Sequence, residues 1–295
     1  MPRDDAGPDF IEALARGLDV LKCFGTRPVP MSLAEIATAT GLARPTTRRI
    51  VLTLEHLGYA RSTPEGVTLT PRVLELGVAY TLSTGLWEVA GPHLAELVAR
   101  TDQAASIAQL DGSDILYVAR VEAPKVVSVN VKVGTRFPAG STALGKVLLA
   151  ALDPDELRRA LATPSRSPVR PHRPKSAREL EAELREVRAR GWASTDEEVA
   201  LGVRSVAAPL RDGDGRTTAA VNIAAIAAEV GHRELVEELL PMLLRTAGAI
   251  GRDHDLIHAA PQRVVRRGPD SSHTGHPGTG GSPPQAARSN PATPS

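Results

Sequence analysis

Between Phe10 and Phe24, apolar side chains fall at Ile11, Leu14, Leu18 and Leu21, the three- and four-residue spacing that lines up one face of a helix. After a breaker run over Thr26–Pro30, Ser32 and Glu35 have the spacing of a capping box. Such a pair satisfies two free N–H groups at a helix start and predicts a second helix to about Thr40. Gly41 suits a sharp turn, Leu42 can pack beneath it, and Pro45 fits the first turn of a third helix. Ile50, Val51, Leu54 and Leu57 are expected to face inward from that helix. Two short strands, Tyr59–Arg61 and Val67–Leu69, flank Ser-Thr-Pro-Glu-Gly and read as a hairpin. Thr70 and Pro71 then pair as N-cap and first-turn residue, predicting a linker helix over 71–85, and Trp87–Arg100 continues as helix.

Beyond Thr101 the pattern alternates. Ala104–Leu110 and Ile115–Val121 flank Asp111-Gly112, and Val127, Val129, Val131 and Val133 share one face of Lys125–Val133, so all three segments are predicted as strands. Helices are predicted at Thr142–Leu152, Asp153–Leu161 and Ser176–Arg190, the last opened by a second capping box, Ser176 and Glu179, and ended by Gly191. A further hairpin, Gly202–Leu210 with Thr217–Ala227, leads to a closing helix, Arg233–Ile250. It carries Leu235, Leu239 and Leu243 inward and should kink at Pro241. From Pro261 to Ser295 there are seven prolines, five glycines and no Phe, Trp or Tyr, so a disordered tail is expected over 259–295. Helix, turn, helix and hairpin in that order predict a winged helix-turn-helix over 1–70, ordered from about 10. A second α/β domain is predicted over 86–258, making the whole α+β.

Length agrees with two domains, since 295 residues exceed the usual size of one. The formal charge of +1 supplies no global field for nucleic acid or an anionic membrane, so any such partner must be met locally. A lone cysteine, Cys23, can form no intrachain disulfide and reads as a small apolar residue of the first helix. The opening MPRDDAGPDF has no apolar segment and no run approaches a bilayer span, so a cytoplasmic protein without a membrane partner is expected. Eight aromatic side chains are too few for a platform that stacks single-stranded bases.

The leading end of the third helix changes the picture. Arg44, Thr46, Thr47, Arg48 and Arg49 crowd within six positions. Arginine can present a fork to guanine, threonine can reach phosphate or a thymine methyl, and Arg61 on the hairpin can meet a phosphate. The expected partner is double-stranded operator DNA. The plainer alternative is a solvated helix face. Residues 1–85 hold nine basic and nine acidic side chains, so affinity must come from a focused patch multiplied by dimerisation.

Gly140–Val147 reads G-S-T-A-L-G-K-V, which matches the start of a phosphate-binding loop. Val147 has no oxygen for a magnesium ion, so a P-loop-like nucleotide enzyme is disfavoured and Lys146 is expected to be structural or ion-paired near a pocket entrance. His254 and His258, with Asp253 and Asp255, have a spacing that could face zinc, but solvated polar residues at a helix end explain them more simply. No nucleophile-elbow pattern is present, and neither enzyme activity, metal nor cofactor is expected.

Taken together, FIEALARGLDVLKCF, SLAEIATATGLARPTTRRIVLTLEHLGYA and LTPRVLELGVAY resemble the DNA-binding half of the IclR family of bacterial transcriptional regulators. GLWEVAGPHL, SVNVKVGTRFPAGSTALGKVLLAAL, GWASTDEEVALGVRSVAAPLRDGDG and AAVNIAA resemble its effector half, in the branch of PcaR/PcaU/PobR type tied to aromatic-acid catabolism. The resemblance implies a GAF-like effector-binding domain, a homodimer or dimer of dimers, and DNA binding tuned by a small aromatic or dicarboxylic acid. Protocatechuate, 4-hydroxybenzoate and β-ketoadipate are the acids it suggests. It also implies an effector pocket at Ala143, Leu144, Asp196, Val203, Ser205, Asn222 and Ala224. Arg120 and Arg204 are candidate carboxylate partners that an alternating strand could equally turn to solvent. A small-molecule-binding oligomerisation module without operator binding is the competing class.

Overall fold

The computed structural model describes residues 7–26, 30–77, 85–125 and 131–259. Three helices come first, α1 (Glu12–Cys23), α2 (Leu33–Thr40) and α3 (Arg44–His56), followed by the antiparallel hairpin of β1 (Ala60–Thr63) and β2 (Gly66–Leu69). Both halves of the capping box form: Ser32 Oγ accepts from the Glu35 N–H at 3.2 Å, and Glu35 Oε2 accepts from the Ser32 N–H at 2.9 Å. Gly41 takes the left-handed conformation, φ +68°, that lets the chain turn from α2 into α3. Val20, Met31, Ile36, Val51, Leu54 and Val67 pack as the core of this unit. One strand contact was invisible to periodicity, because Met31 and Val67 exchange backbone hydrogen bonds at 3.0 and 2.8 Å. Gly66 permits it, since a Cβ there would lie 2.8 Å from the Met31 carbonyl oxygen.

Leu57, expected inward, is 48% exposed, because α3 stops at His56 and the chain swings away through Gly58 at φ +80°. The stripe of Ile11, Leu14 and Leu18 also stays exposed, while α1 buries Val20 and Cys23 instead. Cys23 is the small buried residue expected, its Sγ donating to the Val20 carbonyl at 3.1 Å. Thr70 caps a tight turn at Pro71–Val73 as predicted, and the chain stays helical to 77. The rest of the predicted linker helix, 78–84, lies outside the described residues.

The second part begins with α4 (Leu86–Thr101), β3 (Ala104–Asp111), β4 (Asp114–Val121) and β5 (Arg136–Pro138). It continues with α5 (Ala143–Ala151), α6 (Pro154–Ala162), α7 (Ala177–Arg190), β6 (Ala193–Asp196), β7 (Val203–Arg211), β8 (Thr217–Ile226) and α8 (Leu240–Ala259). The six strands form one antiparallel sheet in the order β5-β4-β3-β8-β7-β6. Alternation along each strand divides its side chains between two faces. Val206, Ala208, Val221 and Ile223 pack with α4 and α8, whereas Ala108, Ala207 and Ala220 pack with α5 and α7. Those three alanines leave room for α5, which is buried from Ala143 through Ala150.

The alternation breaks once, in β4. Ile107 pairs with Ala119 but Ala108 pairs with Tyr117, so Val118 is an extra, bulged residue. Ile115 and Tyr117 consequently pack on the α5 side while Ala119 and Val121 pack on the α4 side. Arg120, three residues from Tyr117, would oppose it in a regular strand and instead shares its face.

Short edge strands β5 and β6 were not predicted. The strand predicted over Lys125–Val133 falls partly on 126–130, outside the described residues; beyond it Val131 is buried while Val133 is 62% exposed, because the chain turns at Gly134, φ +89°. The closing helix carries Leu235, Leu239 and Leu243 inward as expected. Its irregularity is a π segment, Leu235–Leu239, ahead of Pro241, whose missing N–H leaves an earlier carbonyl unpaired. α8 runs on to Ala259, and the remainder of the predicted tail lies outside the described residues. Among the described residues no helix is long and apolar enough to cross a membrane.

Candidate functional site

Two sets of functional side chains were expected, and each has its own setting. On α3, Thr47, Val51 and Leu54 recur at helical spacing and form the inward face. Arg44, Arg48 and Arg49 are thereby turned outward and exposed, with Thr46 at the border. Thr47 is a correction: it has no exposed surface, and its Oγ1 donates to the Ala43 carbonyl at 3.2 Å, so it braces the helix start and cannot reach DNA. On the hairpin Arg61 is exposed, its Nε donating to Thr68 Oγ1 at 3.3 Å. The arrangement sets an arginine-bearing helix tip in the same unit as a hairpin that carries Arg61.

The second setting is a cavity of about 310 Å³ between α5 and the sheet face that carries Ala207 and Ala220. Ala143, Leu144, Val203, Ser205, Asn222 and Ala224 line it, six of the seven expected positions. The seventh, Asp196, does not. Ala193 and Thr195 share the α5 side of β6, so Asp196 points to the other side, where it accepts from Arg204 Nε at 2.6 Å. Arg204 also donates to the Ala227 and Val230 carbonyls at 3.1 and 3.0 Å and stays outside the cavity. The neighbour of Asp196, Thr195, lines the wall in its place.

Strand parity explains the rest. Val203 and Ser205 share a side with Ala207, and Asn222 and Ala224 share one with Ala220. Asn222 Oδ1 accepts from the Ser106 N–H at 3.1 Å, its Nδ2 donates to Ser205 Oγ at 2.9 Å, and Ser205 Oγ donates to the Ile223 carbonyl at 3.0 Å. Both side chains therefore satisfy local groups and line the wall at once. Arg120 enters through the bulge at Val118, and its Nη1 donates to Ser106 Oγ at 3.0 Å. Tyr117, missed by sequence reasoning although its spacing from Ile115 placed it on this face, is 6% exposed. Burial pushes its phenol pKa up to about 12, against a smaller opposing pull from Arg120.

The tip of α5 closes one end. Thr142 Oγ1 accepts from the Gly145 N–H at 3.0 Å, and the leading residues Ala143 and Leu144 border the cavity, so the positive end of the helix dipole lies at its wall. Behind the tip, Gly145 packs so tightly that a Cβ would sit 2.2 Å from the Ala139 carbonyl oxygen. Lys146 is ion-paired as expected but sits away from the cavity lining, fully buried, with Nζ 2.8 Å from Glu183 and 2.7 Å from both oxygens of Glu198. Lys175 contacts the same two carboxylates. Burial pushes the Glu183 carboxyl up, but hydrogen bonds from the two lysines outweigh it and hold its pKa below the ordinary value. The G-K pair is thus engaged in packing and charge pairing, an arrangement that leaves no ammonium for a nucleotide phosphate. Asp253, part of the weak zinc pattern, meets His93 Nε2 at 2.8 Å, and the side chain of His258 lies outside the described residues. Among the described residues no group of three His, Cys, Asp or Glu side chains is placed to hold a metal.

Residues 13–64 match the IclR helix-turn-helix domain, and residues 78–252 match the family described as bacterial transcriptional regulator IclR C-terminal. The chain belongs to the IclR family. Among IclR relatives, a Pca regulon regulatory protein of Pseudomonas putida is 40% identical over 255 residues, covering 85% of this chain and 84% of its own. A p-hydroxybenzoate hydroxylase transcriptional activator of Acinetobacter baylyi is 31% identical, covering 82% of this chain and 91% of its own. The crystal structure of a transcriptional regulator from Rhodococcus sp. RHA1 superposes with a TM-score of 0.73 at 42% identity, covering 84% of this chain and 100% of that one. This IclR chain is a DNA-binding, ligand-responsive transcriptional regulator, with a helix-turn-helix and an α/β effector domain.

Proposed function

We propose that this regulator controls genes of aromatic-acid catabolism, in the protocatechuate, 4-hydroxybenzoate and β-ketoadipate pathway, and that its effector is a small organic acid bound in the cavity between α5 and the sheet. The observation that carries the reading is the composition of that cavity: a mostly apolar wall with Arg120, Ser205, Asn222 and the α5 tip as its polar points. Ala143, Leu144, Val203 and Ala224 supply apolar contact, and the 40% identity to a Pca regulon regulator supports the pathway. Arg44, Arg48 and Arg49, with Thr46 and the hairpin's Arg61, meet double-stranded operator DNA. The chain works as a homodimer or a dimer of dimers; the exposed stripe of Ile11, Leu14 and Leu18 is apolar surface that pairing would cover.

Ligand binding need shift operator affinity by only about 1 to 3 kcal/mol to switch transcription, by changing how paired DNA-binding units are held through the 71–85 linker. The test is a thermal-shift screen of aromatic and dicarboxylic acids followed by footprinting of promoter DNA with each acid that stabilises. An acid that raises the melting temperature and changes protection of a palindromic site is expected. A chain stabilised by no acid, or one that protects no promoter site at low salt, would refute the reading.

A further inference from the structure

We propose that Arg120 is the carboxylate anchor of this cavity, and that Tyr117 and Arg120 together select a ring-bearing acid with one carboxylate over acids with two. The inference rests on the reading of the cavity as the effector site.

Arg120 is the only charged side chain among the described lining residues. Two other cations raised by the sequence lie elsewhere: Lys146 is paired with Glu183 and Glu198 away from the lining, and Arg204 is paired with Asp196 on the opposite face of the sheet. The Arg120 side chain is only 5% exposed and is held by Ser106 Oγ at 3.0 Å and by Glu122 Oε1 at 3.3 Å, the latter on a side chain that is itself 56% exposed. A guanidinium fixed in a wall offers a planar fork that matches one carboxylate.

A second carboxylate would find no equal partner. The tip of α5 contributes roughly half a unit charge. That is enough to orient a hydroxyl or carbonyl oxygen, whereas a full charge buried without a counter-ion is costly. Tyr117 lies beside Arg120 in the lining, and its hydroxyl makes no hydrogen bond with the described residues. Its ring meets Phe137 edge-on, centroids 5.7 Å apart at 86°, which gives the wall an aromatic surface. A phenol that stays protonated at neutral pH can donate to a polar substituent on the ligand ring.

Isothermal titration of the full chain with 4-hydroxybenzoate, its neutral isostere 4-hydroxybenzamide, and terephthalate tests this without any mutation. The monoacid is expected to bind more tightly than either by at least about tenfold. Arg120→Gln should bring the acid-to-amide ratio to about one, Arg120→Lys should keep only part of it, and Tyr117→Phe should erode the preference for 4-hydroxybenzoate over benzoate. Terephthalate binding as tightly as the monoacid, or an acid-to-amide ratio untouched by Arg120→Gln, would overturn the inference while leaving the cavity an acid site. Binding of no member of the series would overturn both.

Discussion

Lys146 Nζ lies 2.7 Å from each carboxylate oxygen of Glu198, and the lysine has no solvent exposure. Glu198 begins the stretch whose Val199 and Ala200 line the cavity, and Lys146 stands on the helix whose tip closes it, so one buried ion pair ties two walls together. Lys146→Met leaves Glu198 and Glu183 with Lys175 as their remaining partner and should cost about 3–5 kcal/mol in urea denaturation. The double variant with Glu198→Gln should cost less than the sum of the single changes.

Gly145 and Gly140 look alike in sequence and should behave differently. A methyl on Gly145 would meet the Ala139 backbone, with Cα at 2.4 Å and the carbonyl oxygen at 2.2 Å. At Gly140 the nearest atom is Leu180 Cδ2 at 2.9 Å, the movable end of a side chain. Gly145→Ala should therefore destabilise the fold far more than Gly140→Ala, by an amount typical of overpacked cores, about 1–3 kcal/mol or above. Equal effects in calorimetry would contradict the packing account.

Operator affinity should separate two neighbours on α3. Replacing Arg48 and Arg49 with Ala should abolish specific binding in gel-shift assays, leave effector affinity intact, and flatten the salt dependence by about 0.9 in logarithmic slope per lost phosphate contact. Thr47→Val should instead preserve operator affinity and show its effect in thermal stability, as the hydroxyl serves the helix start.

These contrasts show what could be read from the chain alone. Capping residues announced α2 and α7 because their chemistry is local: Ser32 with Glu35 and Ser176 with Glu179 both form the pairs their spacing implies. Ser205, Asn222 and Ala224 lie in the cavity wall because regular alternation carries them there. Asp196 and Thr47 failed for the same reason that the others succeeded: each belongs to a face decided by neighbours, Thr195 at the cavity and Val51 in the core. Arg120 could not be assigned, since its side depends on a register slip created by pairing with β3. β5 and β6 are three and four residues long, too short to show a period.

The Tyr117 phenol provides a pH handle. Its pKa rises from the ordinary 10.0 to about 12 on folding, so the folded chain holds this proton more tightly than the unfolded chain. The stabilisation is whole below pH 10 and is lost between about 10 and about 12. Spectrophotometric titration should show one phenol ionising in that range, and Tyr117→Phe should remove it. A phenol at that position titrating near 10 would contradict the buried setting.

The extra residue Val118 makes the identity of the cavity wall a matter of counting. Paired with β3 without the bulge, the same residues would put Arg120 on the opposite layer, beneath α4, whereas deleting Val118 would remove the bulge and keep the guanidinium on the cavity side, two residues from Tyr117. Which layer receives this guanidinium is thus decided by how two strands line up their backbones, a property that no exchange of the side chain itself can rewrite.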